Sequence, residues 1–150
     1  MMRKYRISFD IWGLLLFLLV MIPNFIWFAV PAPRDVLRTG SATEFLDTVA
    51  SVCQVLFAGA LCMLANKERG VLGLTPLIRC CIGCGALYYG GWILYYLGFT
   101  NPLVILLLTV PPCLAFLLFA VARKNFAAVI PAAIFSVCHL IYGVVNFIIL

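Results

Sequence analysis

The chain has 150 residues, 66% of them hydrophobic and only 10% charged, and it carries a net charge of +5. That composition excludes a water-soluble domain of this length and puts the chain among membrane proteins. The basic balance calls for no nucleic acid, because an anionic membrane surface attracts the same lysines and arginines.

A helix crossing about 30 Å of hydrocarbon needs roughly 20 mostly apolar residues. Five stretches meet that requirement, at about 11–30, 43–66, 76–98, 102–122 and 126–149. The predicted fold is therefore all-α, a single domain of five transmembrane helices, with no repeat or second domain.

Arg3, Lys4 and Arg6 precede the first stretch, and Val30-Pro31-Ala32 faintly resembles a signal-peptide cleavage site. The apolar run is about twice the length of an h-region, and Pro33 would follow the scissile bond, so the first helix is expected to stay. The segment 31–43 is the longest outer connection. It holds Pro31-Ala32-Pro33, the pair Arg34-Asp35, and Ser41-Ala42-Thr43-Glu44, which reads as a capping box opening the second helix. Thr75-Pro76 starts the third helix, and Asn101-Pro102 starts the fourth after a tight turn. Arg123-Lys124-Asn125 joins the fourth to the fifth, so the last three helices are predicted to be antiparallel neighbours.

Orientation follows from the basic residues, which stay on the cytoplasmic side of short loops. With the N-terminus inside, that face collects Arg3, Lys4, Arg6, Lys67, Arg69, Arg79, Arg123 and Lys124, against Arg34 and Arg38 outside. The expectation is N-in, C-out, in a plasma membrane.

Polar residues inside spanning helices normally face the bundle interior or a wet cavity. Glu44, Asp47, Ser51 and Gln54 share an arc of roughly 80° on the second helix. Ser136, His139, Gly143 and Asn146 repeat the spacing on the fifth, and Cys81, Cys84, Tyr88, Gly91 and Tyr95 continue it on the third. Asn24, Gln54, Thr109 and His139 then fall within about 5 Å of the midplane on its outer side, with Asp47 and Asn146 further out. Pro23 and Pro111-Pro112 free backbone carbonyls at similar depth, as a cavity or kinked gate would need.

These features predict a site for a small apolar or amphipathic ligand formed by Asn24, Trp27, Asp47, Gln54, Tyr95, His139 and Asn146. The plainer reading is that Asn, Gln, Ser and Thr bond across helices and hold the bundle together. On that reading His139 is a neutral packed ring, Asp47 reaches water, Arg34 or Arg38, and the aromatic residues form an interfacial belt. Gly83, Ala86 and Gly90 are expected to be close-packing positions. Partners would be the lipid bilayer and either a second copy or another membrane protein.

Seven cysteines include Cys80-Cys81-Ile82-Gly83-Cys84. They would face a reducing compartment with no acid or histidine adjoining in sequence, which weakens a thiol-exchange reading. One histidine and scattered cysteines make no metal-ligand pattern, and no hydrolase or phosphate-binding motif is present. No enzyme activity and no cofactor are predicted.

The run Ile22-Pro23-Asn24-Phe25-Ile26-Trp27-Phe28, then Pro31-Ala32-Pro33, with His139-Leu140-Ile141-Tyr142-Gly143 in the last helix, resembles small membrane proteins of Gram-positive bacteria. That resemblance spans the chain and implies a bacterial inner membrane without an established activity. The five-helix layout with a longer first outer loop is also similar to the translocator, or tryptophan-rich sensory, protein family, whose members bind porphyrins and other apolar ligands in a cavity open at one end. That family's Pro-Ser-Trp loop motif is absent here, so no residue is carried over.

Overall fold

The computed structural model describes residues 4–149; Arg3, counted above among the basic residues, lies outside them. The helices are α1 (Ile11–Ala29), α2 (Glu44–Met63), α3 (Pro76–Tyr96), α4 (Pro102–Ala122) and α5 (Phe126–Val144). A π-helical segment, Val145–Ile149, extends α5. All five are long and apolar enough to cross a membrane.

The helix starts follow local chemistry. Thr75, Asn101 and Asn125 each cap a first turn by accepting from the backbone N–H of Ile78, Val104 and Ala128. The capping box at Ser41 does not form. Ser41 Oγ accepts from Thr43 N at 3.0 Å, and α2 begins three residues after it, with Glu44 as its first residue rather than its third. A one-turn 3-10 helix, Val36–Arg38, interrupts the long connection.

α2 ends at Met63, three residues short of the apolar pattern. Leu64–Asn66 are extended as β2 and pair antiparallel with β1 (Tyr5–Ile7), Arg6 facing Ala65. Further bonds from Ser8 N to Met63 O and Asp10 N to Cys62 O carry the ribbon up to the start of α1. Hydropathy could not show this, because β pairing satisfies backbone groups between segments 59 residues apart in the chain.

Around the bundle, α3 packs on α4, α4 on α5, α5 on α2 and α2 on α1, while α1 closes the ring lightly against α3 and α4. α4 is the central helix, with 61% of its most apolar stretch enclosed, against 17% for α1. Phe57, Phe116 and Phe135 interlock at the core, with centroids 4.8 and 5.2 Å apart. α1 is held to α3 largely by tyrosine hydroxyls. Pro23 leaves the Leu19 carbonyl without its helical donor, and Tyr89 Oη donates to it at 2.7 Å. Tyr88 donates to Val20 O at 3.1 Å and Tyr96 to Val30 O at 2.6 Å.

The close-packing glycines are not the ones expected. A Cβ at Gly83 or Gly90 would meet nothing within 4 Å, and both lie, with Ala86, on the outward side of α3. Backbones instead approach at Gly13 against Leu61 and Gly91 against Leu107, and the Thr109 side chain packs against Gly143. Spacing alone cannot distinguish a small-residue face turned inward from one turned outward.

Candidate ligand-binding cavity

At the end of the bundle opposite the ribbon lies a cavity of about 400 Å³. Asn24 and Trp27 of α1, Asp47 and Gln54 of α2, and His139 of α5 stand in its wall. Trp92, Tyr142, Phe116 and Phe135 complete most of the aromatic lining, and Leu37 from the long connection closes over it. Five of the seven residues predicted for the site are thus brought together.

Tyr95 and Asn146 stand outside the wall. Tyr95 is fully enclosed; its hydroxyl donates to Asp35 Oδ1 at 2.9 Å and accepts from Leu37 N at 3.1 Å. Asn146 ties α5 to the start of α2, accepting from Ala42 N at 2.7 Å and donating to Thr43 Oγ1 at 2.9 Å. Both lie on the predicted face but at its end, where the connection before α2 covers them.

The polar groups in the wall differ in how far they are satisfied. Ser51 and Thr109 donate to carbonyls four residues earlier in their own helices. Asn24 Nδ2 bonds Val20 O and Tyr88 Oη. Gln54, by contrast, donates among the described residues only to the Met21 sulfur, at 3.6 Å. His139 is sandwiched between Phe135, centroid 5.1 Å and interplanar angle 14°, and Tyr142, 6.2 Å and 21°. Among the described residues its ring nitrogens make no hydrogen bond, and the charge facing it is that of Asp47. Trp92 stands edge-on to Tyr88, its enclosed Nε1–H finding no acceptor in hydrogen-bonding geometry among the described residues.

Asp35, Leu37 and Arg38 make the connection a strap fastened to α1 and α3. Asp35 accepts from Trp27 Nε1 at 2.9 Å, Tyr95 Oη at 2.9 Å and Arg38 Nε at 2.8 Å. Arg38 also donates to Trp27 O at 2.6 Å and sets its guanidinium 4.9 Å from the Trp27 ring centroid. Arg38 is therefore engaged with Asp35 and not with Asp47, which makes no ion pair among the described residues.

Desolvation pushes the Asp35 carboxyl upward, but three hydrogen-bond donors and the Arg38 charge outweigh it and hold the group below its ordinary value. A depressed carboxyl contributes stability that is complete above its unfolded value, about 3.9, and is lost as pH falls through the lower folded value. Tryptophan emission is thus expected to stay constant from neutral pH to about pH 5 and to change only below about pH 4 as the strap loosens. Asp35→Asn should abolish that acid transition; a transition left intact in the variant would assign it to another carboxylate.

At the ribbon end the sequence pattern missed a second polar cluster. Asp10 is 5% exposed. Its Oδ2 receives Arg123 Nη2 at 2.9 Å and Arg123 Nε at 3.1 Å, together with Arg69 Nη1. Its Oδ1 caps α1 at Trp12 N. Arg123 Nη1 reaches Gly70 O, and Asn125 Nδ2 bonds both Ala60 O and Leu64 O. The only sequence signal was an acid immediately before an apolar run, the mark of an N-cap. The seven thiols are unpaired, and the C-x-x-C is divided in setting: Cys81 is buried and donates to Ala115 O, while Cys84 is half-buried.

Fold and site together define a class: a five-helix apolar bundle that encloses a part-aromatic, part-polar cavity under a fastened strap. No protein-family model, curated protein or solved structure matches the chain.

Proposed function

We propose that this is a multi-pass protein of a bacterial plasma membrane, N-terminus inside, that binds or carries a small, partly apolar molecule entering from the outer side. The observation that carries the reading is the cavity, and within it the incompletely satisfied Gln54 and His139. Buried polar groups normally find partners, and inside a membrane an unpaired one is costly unless water or a ligand meets it. Orientation is supported by Lys4, Arg6, Lys67, Arg69, Arg79, Arg123 and Lys124 at the ribbon end, against Arg34 and Arg38 at the strap end.

A second reading, an accessory protein whose polar residues only assemble helices, draws on Asn146, whose bonds join α5 to the start of α2. Native mass spectrometry on the purified protein separates the two. Wild type is expected to retain a specific small molecule that a His139→Ala, Gln54→Leu double variant loses. Only bulk lipid on both, with equal thermal stability, would favour the accessory role.

A further inference from the structure

Among the described residues the wall of the cavity carries one formally charged side chain, Asp47, and no lysine or arginine. Asp47 lies in the first turn of α2, where the helix start favours a carboxylate. Its carboxylate accepts from Thr43 Oγ1 at 3.3 Å, and His139 and Tyr142 of the same wall lie within reach of its charge. Arg38 of the strap is held by Asp35 and by two backbone carbonyls of α1.

An apolar enclosure with a single uncompensated negative charge has a selectivity of its own. An anion entering it would meet Asp47 with no counter-charge, whereas a cation would supply the missing partner in a medium that screens poorly. The other walls suit a cation too. Trp27, Tyr88, Trp92, Phe135 and Tyr142 line the cavity, and a positive group close to an aromatic ring is attracted by its quadrupole. The mouth already shows this contact, with the Arg38 guanidinium over Trp27. A volume of about 400 Å³ accommodates an aromatic or aliphatic body of drug-like size attached to the charge.

We infer that the cavity selects organic cations, amines or quaternary ammonium compounds with an apolar body, placing the positive group at Asp47 and the body among the aromatic rings. This rests on the binding reading above and narrows it to a ligand class.

Three probes of nearly equal size test it: benzyltrimethylammonium, its neutral carbon isostere neopentylbenzene, and benzylsulfonate. Binding is followed by tryptophan emission in phosphatidylcholine nanodiscs, whose zwitterionic surface does not itself concentrate cations. Wild type should bind the ammonium at least about tenfold more tightly than either other probe, a difference of about 1.4 kcal/mol. Asp47→Asn should bring the ammonium to within about threefold of the hydrocarbon while leaving the hydrocarbon's affinity unchanged. Asp47→Glu, which keeps the charge, should keep the preference, and it decides the matter if Asp47→Asn does not fold. Equal binding of ammonium and hydrocarbon by wild type, or a preference that survives in folded Asp47→Asn, would overturn the cation assignment and leave the binding reading standing. Binding of none of the three would overturn both.

Discussion

Asp10→Ala is expected to destabilise the bundle by about 3–5 kcal/mol, because it strips the counter-charge from two guanidiniums at once. Arg123 is 8% exposed, and the Arg69 side chain is 17% exposed, so water cannot take over the lost interaction at Arg123 and does so only in part at Arg69. The same change removes the α1 cap at Trp12 N, which adds about 1 kcal/mol. Arg69→Ala should cost less than Arg123→Ala, since Arg123 places two nitrogens on Asp10 and a third on Gly70 O. Reversible unfolding by mixed-micelle titration, read by tryptophan emission, would give the order. A loss below about 1 kcal/mol for Asp10→Ala would mean that the triad is hydrated in the membrane-bound protein and behaves like an exposed ion pair.

Gly13→Leu is the second large effect expected, with Gly13→Ala as its graded form. A Cβ at Gly13 would fall 2.5 Å from the Leu61 carbonyl oxygen and 3.0 Å from its carbon. Those are backbone atoms of α2 and cannot rotate away, so α1 must move outward. Overpacking of this kind costs about 1–3 kcal/mol for alanine and more for a branched side chain. Because α1 carries Asn24 and Trp27, the displacement should also widen the cavity and lower the affinity of any probe bound there. Gly83→Ala is the matched control: with nothing within 4 Å, it should be neutral or stabilising by up to about 1 kcal/mol through helix propensity. Similar losses at the two positions would mean that the outward face of α3 is packed in the membrane, as a second copy could arrange.

The two clusters at opposite ends of the bundle have different physical characters. The Asp10 cluster saturates its carboxylate and ties the ribbon, the loop after β2 and the end of α4 into one unit. The cavity leaves Asp47, His139 and Gln54 incompletely satisfied. Rigid satisfaction at one end and open polarity at the other is the division that the proposed ligand binding would require.

Sequence alone determined the all-α class, the five apolar helices, the starts of α3 and α4 at Thr75 and Asn101, and the shared face of Asp47 and Gln54 on α2. Each depends on interactions within about four residues of chain, hydrophobic period or a cap, and such interactions are written locally. Tertiary structure decided the rest. It ended α2 at Met63 because β2 found β1, turned Gly83 outward and Gly143 inward, set Tyr95 behind the strap, and brought Asp10 to partners 59 and 113 residues away. Which carboxylate is neutralised and which is left facing a cavity depends on contacts between distant segments. No local pattern encodes that choice.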